Sequence, residues 1–285
     1  MTDLPVNLPN LVLLTDPQWT MGSLILMVSY GAHFAFILYF LMTSLQLAPR
    51  YRVVAVLSAV VMASAGLSLL KEWTMWSESF TFSATTGFWT PLTNGQTFSN
   101  AYRYGNWTIT VPLLLIQLPI ALGLARGELH ARSARMIVAG LLMIWTGLMG
   151  QFGEVNDLAR LNLWGVISTV FFAWLIWEVR GVITTGMRST APELQMWPRR
   201  LFWYMLATWG IYPIAYALPQ LGHTGDVVVV QQLLYSIADI ATKLVYGVIL
   251  SRFCLRRSAL EGHRPSVEAL AVVHEPGPAA TNLVK

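Results

Sequence analysis

Apolar positions along this chain gather into seven long blocks, at roughly 20–45, 53–75, 104–125, 134–153, 161–183, 200–221 and 227–254. A helix needs about 20 mainly apolar residues to cross a hydrocarbon core of about 30 Å, and the blocks reach that length. Together they leave little room for a separate soluble domain. The pattern predicts an all-α membrane protein, a seven-transmembrane-helix bundle occupying residues 19–257. Residues 1–18 are polar, contain Pro and show no basic n-region, so they read as an extracellular N-terminal segment without a cleavable signal peptide. Residues 258–285, with Pro265, Pro276, Ala and Glu, read as a disordered cytoplasmic tail.

Composition makes the bilayer necessary. The chain is 55% hydrophobic and only 11% charged, against about 25% charge in ordinary soluble domains. A soluble protein of this length has nowhere to hide so much apolar surface, so membrane lipid is its first partner. Basic residues then set an expected orientation. Arg50 and Arg52 follow the first block, Arg126, Arg132 and Arg135 the third, Arg180, Arg188, Arg199 and Arg200 the fifth, and Arg252, Arg256 and Arg257 the last. The intervening loops are poor in Lys and Arg, which predicts the N-terminus outside and the C-terminus cytoplasmic. The net charge of +4 belongs to this asymmetry and gives no reason to expect nucleic acid. The loop at 76–101 is long enough to expect a role, such as a hairpin cap.

Enzymatic chemistry has no foothold. There is no P-loop, dinucleotide fingerprint or zinc spacing, and the single cysteine, Cys254, excludes an internal disulfide. What remains is charge inside the membrane, which is costly and marks function. The last block, QQLLYSIADIATKLVYGVIL, places Asp239 and Lys243 four residues apart on one helix face. That arrangement serves either as a structural ion pair or as an imine-forming lysine beside the carboxylate that balances its charge. The third block, RYGNWTITVPLLLIQ, aligns Arg103, Asn106, Thr110 and Gln117 within a sector of roughly 60°, a polar stripe on an apolar helix. In the sixth, WGIYPIAY sets Trp209, Tyr212 and Tyr216 on one face beside Pro213.

The runs DIATK, RYGNWTITVP and WGIYP resemble those of microbial (type 1) rhodopsins, and the similarity extends over all seven blocks. TFSNAYRYGNW and GQFGEVND most resemble the bacterial sodium-pump and chloride-pump branch. The resemblance implies the family fold, a bacterial plasma-membrane location, all-trans retinal bound covalently to Lys243 as a protonated Schiff base, and Asp239 as its counterion. It implies that Trp107 and Trp209 sandwich the polyene and that Tyr212 hydrogen-bonds Asp239. Pro213, Tyr216, Gly165, Ser168 and Thr242 complete the expected retinal pocket. Gly165 stands where many members carry a bulky tryptophan; a glycine there opens a window for a carotenoid antenna or allows tight helix packing. Homologous bundles form trimers or pentamers, so a homo-oligomer is expected. Glu154, Asp157 and Lys71, near the extracellular helix ends, are expected to be interfacial charges or intersubunit pairs.

Ion choice follows from Asn106, Thr110 and Gln117, the three positions that sort the family. Outward proton pumps have an aspartate in place of Asn106 and usually a carboxylate in place of Gln117; an amide takes up no proton near neutral pH. Sodium pumps of the branch carry an aspartate in place of Thr110. Without any of these bases the lysine nitrogen keeps its positive charge, repelling sodium and attracting an anion. Lys243 and Arg103 set against Asp239 leave an excess positive charge, and Asn106 and Thr110 offer hydrogen-bond donors to a halide. The Asn-Thr-Gln triplet matches the chloride-pump subgroup. The expectation is a light-driven inward chloride pump, with chloride entering past Arg103, resting at Asn106 and Thr110, and leaving past Gln117. A pump for another ion such as sodium, an anion channel, or a photosensory rhodopsin signalling to a partner are the alternatives.

Overall fold

The computed structural model describes residues 7–92 and 97–263. Seven helices cross the molecule: α1 Asp16–Gln46, α2 Pro49–Glu78, α3 Ala101–Ala121, α4 Arg126–Gln151, α5 Leu158–Arg188, α6 Pro192–Leu221 and α7 Gly225–Leu260. Each packs on the next, and α7 packs back on α1, which closes a ring. Six are long and apolar enough to span a membrane. The exception, α3, contains Arg103, Asn106, Thr110 and Gln117, all buried within the ring. Large apolar side chains such as Leu38, Val170, Trp177 and Trp203 face outward, where lipid replaces water as solvent. This is a multi-pass membrane bundle.

The helix ends are set by local chemistry. Thr15 caps α1 by accepting from the Gln18 amide, while the Gln18 side chain accepts from the Thr15 amide, a capping box. Asp157 caps α5 by accepting from the Arg160 N–H at 2.9 Å, and Thr224 caps α7. Pro49 opens α2, where its missing N–H costs nothing. Gly123, at φ +68°, turns the chain out of α3 in a conformation that favours glycine.

Two departures from regular helix bear on function. α6 is divided at Gly210, between Met196–Trp209 and Ile211–Ala217. In α7, Ile240–Val245 adopts π geometry around Lys243. The wider turn reroutes backbone hydrogen bonds: the Ala241 carbonyl accepts from the Tyr246 N–H five residues on and from the Tyr204 hydroxyl of α6 at 2.7 Å. Such bulges persist where tertiary contacts stabilise them, often at functional positions.

The boundaries differ slightly from the pattern. From Asn7 onward the N-terminal segment is packed: Leu8–Leu11 forms a 3₁₀ turn, and Asn7 and Leu8 are fully buried. α7 runs to Leu260, three residues beyond the expected end of the bundle at 257, and residues of the tail from 264 onward lie outside the described residues. The long loop contains an antiparallel hairpin, β1 Phe80–Ser83 with β2 Phe88–Pro91. Trp89 of β2 stacks on Trp19 of α1 with ring centroids 3.9 Å apart, tying the hairpin to the bundle.

Candidate functional site

Inside the ring lies a cavity walled by Trp107, Trp209, Tyr212 and Tyr216, with Pro213, Ser168 and Gly165 also lining it. Lys243 and Thr242 enter it from α7. Its lining is largely aromatic and aliphatic, as ligand pockets are, and Lys243 is the one amine among the lining residues. Gly165 is half-buried, and a Cβ there would lie 2.9 Å from the Tyr216 ring, so Tyr216 fills the space beside it. Tyr216 is itself held by donating to the Leu161 carbonyl at 3.0 Å. Ser168 donates to the Met143 carbonyl at 2.8 Å.

At the lysine end is a dense ionic cluster. Asp239 and Lys243 are both 1% exposed and form an ion pair one turn apart. Asp239 Oδ1 also accepts from the Tyr212 hydroxyl at 2.8 Å and from Trp107 Nε1 at 3.1 Å. Its Oδ2 accepts from Arg103 Nη1 at 2.8 Å. Tyr212 lies 3.0 Å from the Thr242 hydroxyl, which donates to the Ala238 carbonyl. Three helices therefore converge on one carboxylate that accepts from four donors, an arrangement that stabilises buried charge.

The sequence-derived charge count needs correction. Arg103 Nη2 lies 2.8 Å from Glu72 Oε2, a carboxylate of α2 that is fully buried, and also donates to Gln232 Oε1 at 3.0 Å. Arg103 and Lys243 are thus matched by Asp239 and Glu72, and the excess positive charge expected from three groups disappears when the fourth is counted. Glu72 falls inside the second apolar block, where any carboxylate is a functional candidate. That signal was present in the sequence and passed over.

Asn106 and Thr110 occupy the same buried stripe but make their hydrogen bonds to groups other than Lys243. The Asn106 carbonyl oxygen Oδ1 accepts from the Ser64 hydroxyl at 2.9 Å. Thr110 donates to the Asn106 backbone carbonyl at 3.0 Å, so its hydroxyl must rotate before it can serve an anion. Gln117 is fully buried farther along α3, accepting from Ser58 at 3.3 Å; its amide nitrogen has no partner among the described residues.

Glu154 also departs from expectation. It is neither interfacial nor intersubunit: it is 0% exposed, accepting from Asn7 Nδ2 at 2.5 Å, the Leu8 N–H at 3.3 Å and Gln231 Nε2 at 2.7 Å. Burial raises its pKa above the ordinary carboxylate value despite these donors. Asp157 is an exposed helix cap, and Lys71 lies 6.0 Å from the Tyr102 ring centroid.

Comparison with known proteins converges on one group. The sequence model of a bacteriorhodopsin-like protein family matches residues 20–256. A bacteriorhodopsin-II-like protein of Haloquadratum walsbyi is 31% identical over 52% of this chain and 58% of its own length. A green-light absorbing proteorhodopsin of a gamma-proteobacterium is 24% identical over 55% of this chain and 62% of its own length. The alignments with these first relatives thus span under two thirds of the relatives' length. Solved structures match more completely. A thermophilic rhodopsin superposes with TM-score 0.81 at 28% identity, covering 88% of this chain and 99% of that one. Xanthorhodopsin, a light-driven ion pump with dual chromophore, superposes with TM-score 0.79 at 29% identity over 88% and 99% of the two chains.

Proposed function

The chain belongs to the bacteriorhodopsin-like protein family, and from that premise we propose that it is a light-driven inward chloride pump of a bacterial plasma membrane, with the N-terminus outside. The aromatic cavity fits retinal, with the Lys243 amine at one end and Trp107 and Trp209 in its wall. Retinal attached at Lys243 supplies light absorption and a photoisomerisation that changes where the nitrogen-borne charge points. The protein's residues do the rest. Asp239 balances the charge at Lys243, and Tyr212, Trp107 and Arg103 hold that carboxylate in place.

The observation that carries the choice of ion is the makeup of the α3 stripe. Asn106, Thr110 and Gln117 are buried and none can accept a proton near neutral pH, while Asp239 is engaged by four donors. With no free base beside it, Lys243 remains cationic, which excludes a passing sodium ion and favours an anion. Two unit charges 4 Å apart interact by roughly 4 kcal/mol even at an effective dielectric of 20. Chloride approaches past Arg103, rests near Asn106 and Thr110 once the Thr110 hydroxyl turns, and departs past Gln117.

Illumination of cells expressing the protein tests this. In chloride the medium should turn alkaline as protons follow the imported anion passively, a protonophore should enlarge the signal, and sulfate should abolish it. Acidification that a protonophore abolishes would establish proton export and reject chloride.

Two finer readings are offered with it. The bundle assembles as a homo-oligomer, a trimer or pentamer, through its apolar outer faces. A carotenoid antenna at Gly165 is the weaker of the two, because Tyr216 occupies the space over that glycine.

A further inference from the structure

Glu72 has no task in the pumping scheme, yet it is a buried carboxylate with neither oxygen hydrogen-bonded among the described residues. Asp239 has four donors; Glu72 is fully buried, and its only ionic partner among the described residues is Arg103. Neither of its oxygens has a well-directed hydrogen bond. The charged and titratable groups around it are Arg103 of α3, with Asp239 and Lys243 of α7 beyond. Tyr235 of α7 lies beneath the Arg103 guanidinium, 5.4 Å from its ring centroid. His33 of α1 interacts electrostatically with the Asp239–Lys243 pair.

With both carboxylates ionised, Arg103, Lys243, Asp239 and Glu72 sum to zero. Adding chloride would leave a net negative charge in a buried site, which is strongly disfavoured. One proton on Glu72 removes the conflict: it restores the excess positive charge and frees an edge of Arg103. We propose that Glu72 is a proton-coupled lock on the anion site, ionised against Arg103 before an anion binds and taking up one proton as chloride arrives. The step balances as carboxylate plus proton plus chloride giving carboxylic acid with chloride held near Asn106 and Thr110. It rests on the chloride reading above and adds to it a coupled proton. Coupling is reciprocal, so chloride affinity must fall as protons become scarce.

The test uses the full-length, retinal-loaded protein in detergent. Chloride is titrated by its shift of the visible spectrum at a series of pH values, and proton uptake on chloride addition is followed with an indicator dye in weak buffer. The expected result is about one proton per chloride bound and a dissociation constant that rises about tenfold per pH unit above the transition. Glu72→Gln should abolish both effects and bind chloride at every pH at least as tightly as the wild type binds it in acid. Binding without proton uptake overturns the lock and leaves the chloride site standing. A pH slope that survives in Glu72→Gln also overturns it, because the proton then sits on another group. Should that variant fail to assemble, the wild-type proton count decides alone. If chloride shifts the spectrum at no pH, the chloride reading falls and the lock with it.

Discussion

At the scale of single residues, the site turns on which groups are already satisfied. Asp239 is engaged by four donors, and Thr110 spends its proton on the Asn106 carbonyl. A new carboxylate on that stripe therefore acts mainly through charge. Thr110→Asp is expected to weaken the chloride-induced spectral shift at least tenfold, because an anion would have to rest against another; an unchanged chloride titration would remove Thr110 from the binding site. Trp107→Phe deletes one donor to a buried carboxylate and should cost about 1.5–3 kcal/mol of stability, read as a lower melting temperature of the purified pigment. The Asp239–Lys243 pair was legible from sequence because both residues lie on one helix four positions apart. Glu72 and Arg103 were not linked, because their contact crosses from α2 to α3 and a charge near the end of an apolar block looks interfacial until its neighbours are known.

At the scale of elements, the seven helices were readable because membrane length and apolar composition leave few alternatives. The division of α6 at Gly210 and the π turn of α7 were not, since both depend on side chains from neighbouring helices. Tyr204 reaching the Ala241 carbonyl has no signature in the sequence of α7 itself. Close helix approach is equally tertiary. A Cβ on Gly22 of α1 would fall 2.3 Å from the Trp76 ring of α2, whereas one on Gly31 of the same helix meets nothing within 4 Å. Trp76 cannot easily swing away, because its indole N–H donates to the Trp19 carbonyl at 3.0 Å. Gly22→Ala should destabilise by about 1–3 kcal/mol through overpacking. Gly31→Ala should be neutral or slightly stabilising through helix propensity. Equal melting temperatures for the two variants would show that α1 and α2 are less tightly registered than the structure places them.

At the scale of the whole molecule, Glu154 joins parts of the chain that sequence keeps far apart. It lies in the turn between α4 and α5 and receives hydrogen bonds from the N-terminal segment through Asn7 and Leu8 and from α7 through Gln231. One carboxylate thus closes the N-terminal end of the bundle, and its burial raises its pKa above the ordinary carboxylate value. The sign of the pH dependence follows. In the unfolded chain the group ionises near its ordinary value, whereas in the folded protein it holds its proton to higher pH. The folded state therefore binds more protons between the two values, and stability falls as pH rises across that interval. The penalty is absent below about pH 4.5 and complete once the raised value is passed. Glu154→Gln keeps an acceptor for this junction and cannot ionise. Melting temperatures of the two proteins, measured from pH 4 upward, should therefore diverge in one direction. The wild type loses stability relative to the variant as pH climbs, and the gap stops widening above the raised value. A wild type that gains on Glu154→Gln as pH rises would mean that the ionised carboxylate, with its three donors, outweighs the cost of burying it.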